Sequence, residues 1–135
     1  MATLKTILGI GSEEYQVTSG KLLTSLTKDY TVTEGGIVTT EIDATTEGTA
    51  VKLLSACTHA LGTKVYLRNL HATNTLKFKC TGGTNYEIVL TPGQFAFFPW
   101  TATCPEPEDE DHATNLHMFV FASAVDTTLE YGTFI

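Results

Sequence analysis

Apolar and polar side chains alternate with a period of two along much of this chain. The clearest block is residues 64–70, where Val65 and Leu67 alternate with Lys64, Tyr66 and Arg68. Period two sends successive side chains to opposite faces, so the block predicts a half-buried strand. Residues 76–80 repeat the pattern as Leu-Lys-Phe-Lys-Cys, and residues 86–90 read as a third strand. Between them lie two turns, His71-Ala72-Thr73-Asn74 and the Gly82-Gly83 segment of residues 81–85. Pro92-Gly93 predicts a type II turn, because Pro presets φ and Gly accepts φ > 0. Residues 95–100 then form an aromatic strand. Parity sends Phe95 and Phe97 to one of its faces, and Phe98 and Trp100 to the other.

The flanking segments follow the same grammar. Tyr15 and Val17, residues 22–26, and Tyr30 with Val32 read as short strands. Gly35-Gly36 reads as a turn, residues 37–42 as a strand, residues 46–48 as a turn and residues 50–57 as a strand. Residues 116–125 carry Met118, Val120 and Ala122 on one face, and Leu129, Tyr131 and Ile135 lie on a closing strand. The expected architecture is all-β, an antiparallel, jelly-roll-like sandwich of about eight to ten strands. Residues 1–12 are set apart as an N-terminal arm, with residues 13–135 as one sandwich domain. In the arm, Leu4, Ile7, Leu8 and Ile10 suit either a helical turn or a docking strand, and Gly9 and Gly11 oppose a long helix.

Composition agrees with this reading. The 135 residues suffice for one domain with its own core. Twenty-five threonines favour pleated strands, because a β-branched side chain fits them better than it fits a helix. The net charge is −7, with only eight Lys and Arg residues, scattered. Nucleic-acid binding needs clustered cations, so nucleic acid is not expected as a partner. The apolar run at residues 6–10 is too short for a signal-peptide core, and no stretch has the length of a membrane span. The expected place of synthesis is a cytoplasm, with no membrane partner.

Candidate chemistry is sparse. Cys57, Cys80 and Cys104 form no CxxC pair and read as small apolar residues, although a Cys80–Cys104 bridge is open. Cys57 and His59 share a strand face by spacing, the weakest form of a nucleophile–base signal. His112 and His117 flank a strand entry beside Asp111 without matching a metal motif, and they read as partly exposed polar side chains. The acidic loop at residues 105–111, including Glu108 and Asp109, lacks the order of a calcium loop and reads as a solvated or partner-facing segment. No catalytic residue, metal or cofactor is expected.

The block KVYLRNLHATNTLKFKCTGGTNYEIVLTPGQFAFFPW resembles small β-sandwich virion proteins of tailed bacteriophages. The matching residues are Tyr66, Leu67, Asn69, Thr73, Asn74, Ile88, Leu90, Pro92, Gly93 and Phe97, with GGIVTTEI upstream and LEYGTFI at the end. The resemblance implies a capsid decoration (cement) subunit on the virion surface. Its partners would be the major capsid protein or another virion protein, and copies of itself, with a trimer favoured. The expected contacts are Leu4, Ile7 and Leu8 of the arm, Phe98 and Trp100 of the aromatic strand, and Glu108 and Asp109 of the acidic loop. A tail or neck component is the nearest alternative. A carbohydrate-binding module using Trp100 or Tyr86, and a metal enzyme on a similar sandwich, belong to other classes.

Overall fold

The computed structural model describes residues 2–17, 20–32, 35–54, 63–80, 88–100 and 117–135. Two compact units emerge, Met1–Thr33 and Glu34–Ile135.

The first unit is an antiparallel hairpin. Strand β1 (Ala2–Val17) pairs with β2 (Gly20–Val32), with a register shift between Ser12 and Gln16. The segment expected as an arm is therefore strand from its second residue onward. The division comes after Thr33 rather than at residue 12, because residues 2–12 find their ladder partners in residues 22–32. Leu4, Ile7 and Leu8 lie on β1, opposite Tyr30, Thr27 and Leu26.

The second unit holds eight strands among the described residues: β3 (Gly35–Ile42), β4 (Val51–Leu54), β5 (Thr63–Asn69), β6 (Leu76–Cys80), β7 (Ile88–Leu90), β8 (Phe95–Trp100), β9 (Met118–Ala122) and β10 (Thr127–Phe134). A 3-10 turn (Glu47–Thr49) leads into β4. Sheet I runs β3-β10-β5-β8 and sheet II runs β4-β9-β6-β7, with every neighbouring pair antiparallel. Successive strands change sheet at each step except from β6 to β7. The chain is thus all-β, with two four-stranded sheets packed together as in a sandwich.

The core between the sheets follows the period-two pattern. Ile42, Val65, Leu67, Trp100 and Leu129 enter it from sheet I; Leu54, Leu76, Phe78, Leu90, Met118, Val120 and Ala122 enter from sheet II. Burial of such side chains is worth roughly 1.5–3 kcal/mol each. The best-defined strand of the sequence, β5, buries alternate residues as expected, including Asn69 at its end.

Gly35 and Gly36 are an exception to the turn signals. They begin β3 instead of turning, and at Gly35 the backbone of β10 comes too close for a side chain. A Cβ on Gly35 would lie 2.7 Å from the Thr133 carbonyl oxygen. Pro92-Gly93 does turn: Gly93 has φ +78°, the left-handed value that a type II turn needs at this position.

Candidate functional site

Of the resemblance-bearing residues, Asn69, Thr73, Asn74, Leu90, Pro92 and Gly93 converge at one end of the two sheets. Asn69 is fully buried at the end of β5. Its side-chain amide donates to the carbonyls of Asn74 (2.7 Å) and Leu90 (2.9 Å), while its Oδ1 accepts from the His71 backbone N–H (3.0 Å). One side chain thereby ties β5, the following turn and the end of β7. His71 Nδ1 accepts from the backbone N–H groups of Thr73 and Asn74. Asn74 Nδ2 donates to the Thr127 hydroxyl at 2.9 Å, and that hydroxyl donates to the Ala124 carbonyl at 2.7 Å. Around the Pro92-Gly93 turn, Gly93 N–H donates to the Asn69 carbonyl and Asn69 N–H to the Gln94 carbonyl. These polar groups satisfy one another, as buried polar groups must. The motif builds the scaffold and leaves little for chemistry on a ligand.

Exposed chemistry lies on the outward faces. On sheet I, the cross-strand register sets two rows side by side: Ile37, Gly132, Tyr66 and Phe97, then Thr39, Glu130, Arg68 and Phe95. Phe95 is 60% exposed and Ile37 55%. Gly132 leaves room for its neighbours to close over the backbone, since a Cβ there would meet the Gly36 carbonyl oxygen at 2.6 Å and Ile37 Cγ1 at 3.0 Å. Tyr66 donates its hydroxyl to Glu130 Oε1 at 2.8 Å, and Arg68 Nη1 stands 4.0 Å from the same oxygen. Burial, helped by Glu130, pushes the Tyr66 phenol above its ordinary value, against the opposing pull of Arg68. The surface is aromatic with a central hydrogen-bonded charge cluster.

Sheet II presents a different outward face. Lys77 and Lys79 alternate with the buried residues of β6, opposite Phe121 and Phe119 of β9. Lys77 Nζ lies 5.9 Å from the centroid of the Phe121 ring. Lys79 forms an ion pair with Glu47. A shallow pocket of about 320 Å³ is lined by Glu47, Gly48, Ala50, Lys79, Cys80, Phe119 and Phe121.

The expected contact residues distribute unevenly. Phe95 and Phe97 do occupy the face opposite Phe98 and Trp100, as parity requires. The bulk available to a partner, however, is on Phe95 and Phe97. Phe98 packs against the core, and Trp100 is only 7% exposed within it. That corrects their expected place at an interface and removes Trp100 as a sugar-stacking platform. The reason is the position of β8: its inward parity faces the space between the sheets, where the largest side chains fill volume. His117 is also buried (5% exposed) rather than partly exposed, edge-on to the Phe119 ring at 6.4 Å. Glu108, Asp109, His112, Cys57, His59, Cys104 and Tyr86 lie outside the described residues. Tyr66, Glu130 and Ile37 were not singled out by the sequence as surface residues of one patch. Their adjacency depends on β10 lying between β3 and β5, for which no local signal exists.

No known protein family, characterised protein or solved structure matches this chain.

Proposed function

We propose that the chain is a structural subunit of a tailed-phage virion, a capsid decoration (cement) protein that binds the head lattice through the outward face of sheet I. The observation that carries this reading is the aromatic surface formed by Phe95, Phe97, Tyr66 and Ile37 on a sheet whose other face is already committed to the core. Exposed apolar patches of this kind mark protein contacts. Interfaces favour aromatic residues and Arg at their centres, and Arg68 stands within the patch.

Two further observations support it. Numbered from β3 as the first strand, the sheets read 1-8-3-6 and 2-7-4-5. We read that order as a jelly roll, an architecture used by viral capsid and lectin domains. The second support is the resemblance of residues 64–100 to small phage virion proteins. A fold does not fix a role, so the resemblance ranks below the surface in weight. The reading also has copies of the chain associating, as trimers at three-fold lattice positions. The virion surface is then its final location and the major capsid protein its principal partner.

The test is co-sedimentation of the purified protein with undecorated heads of the phage that encodes it. Saturable binding is expected, weakened at least tenfold by Phe95→Ser with Phe97→Ser. A well-folded protein that ignores heads but binds tails or necks would move the assignment to those structures. No binding to any virion part would overturn it.

A further inference from the structure

The four edges of the two sheets are not treated alike. An edge strand presents unpaired N–H and C=O groups that can template another strand, and folded proteins normally blunt such edges. Among the described residues, two of the edges here are blunted. β4 carries exposed Lys52 and shifts register against β9 between Lys52 and Leu54. β8 contains Pro99, which has no N–H to offer.

β3 has none of these devices. It runs eight residues in unbroken register with β10, from Gly35 opposite Phe134 to Ile42 opposite Thr127. It contains no Pro, Lys or Arg, and its one charged residue is Glu41, near the end. Residues 35–39 are exposed on both faces, including Ile37 and, at 51%, Val38. Its outer edge has no hydrogen-bonded neighbour among the described residues.

We infer that this open edge is a seam at which a second copy of the chain adds its own β3, antiparallel, about a two-fold axis. The occupant must be extended backbone, because that is what an open ladder binds. Charge singles out β3 itself. The chain carries −7 overall, so most of its surfaces repel a copy, while residues 35–40 are neutral. In a register centred on Val38, Val38 meets Val38 and Ile37 meets Thr39, β-branched pairs that suit a ladder. Glu41 then faces Gly35, so no carboxylate opposes another. The contact is isologous and closes after two copies. It is separate from the capsid contact and from any three-fold association.

Light scattering on the size-fractionated full-length protein tests the seam. Val38→Lys places a charge at its centre without touching the outward face of sheet I, and the molar mass is expected to fall by a factor of two. Val38→Thr keeps the β-branch and should retain the wild-type mass. Val89→Lys, on the β7 edge, should also retain it. Circular dichroism must show the same strand content in all variants, and if Val38→Lys unfolds the chain, Val38→Asn serves in its place. Wild-type mass unchanged by the substitution, an equal loss with Val89→Lys, or open-ended aggregation of the wild type would each overturn the seam. Loss of capsid binding with the seam intact would overturn only the virion assignment.

Discussion

Asn69 shows how much one side chain can hold. Its two N–H groups each serve a carbonyl from a different segment, and its oxygen holds the turn that follows. Asn69→Ala orphans two acceptors at once and should cost about 2–4 kcal/mol, read as a lower urea midpoint with an unchanged slope. Tyr66 is the residue through which pH acts on the aromatic face. Its phenol is raised above 10.0, first by burial and then by Glu130. A raised folded-state value means that its contribution is fully present below pH 10 and is lost as pH climbs through the folded value. Wild-type stability should therefore fall above pH 10 more steeply than that of Tyr66→Phe. Urea melts at pH 9 and pH 11 check the difference, and a late-titrating phenol missing from the variant's ultraviolet titration confirms its source.

Strand β8 separates two roles that its sequence merges. Six residues carry four large aromatic side chains, and the pleat divides them between core and surface. Trp100→Ala should destabilise by about 3–5 kcal/mol, as emptying a large core site does. Phe95→Ser should stay within about 0.5 kcal/mol of wild type, since the side chain is mostly exposed. Chemical denaturation of the two variants distinguishes them, and similar losses would mean that the parity of β8 is reversed. The aromatic character of the strand was legible from composition and spacing. Which half faces inward was not, because both parities are equally apolar and only the second sheet breaks the tie. Elsewhere the opposite holds: β5 and β6 pair apolar with charged residues, and their inward faces could be read directly. Gly35 misled for a related reason. Glycine signals either a turn or a close backbone approach, and the two differ only in what lies alongside.

At the scale of the molecule, a core cluster of the described residues lies within residues 42–131. The second unit thus carries its own hydrophobic stabilisation. A chain beginning at Glu34 should keep a single cooperative thermal transition and the strand signal of the two sheets. The isolated hairpin 1–33 should not hold its structure in water, since two strands alone are marginal. Calorimetry and circular dichroism on the two fragments decide this, and a non-cooperative melt of the 34–135 fragment would show that the hairpin is needed for the core.

Strand periodicity, turn chemistry and the paucity of Lys and Arg were properties of the sequence alone. They act between near neighbours, so local residue order is enough to specify an all-β chain and the places where it turns. The order 1-8-3-6 and 2-7-4-5, the row that brings Ile37, Tyr66 and Phe97 together, and the contrast between the blunted edges β4 and β8 and the edge of β3 were decided only by tertiary structure. Each depends on which distant strands become neighbours, and that is settled by how two apolar faces close on a common core.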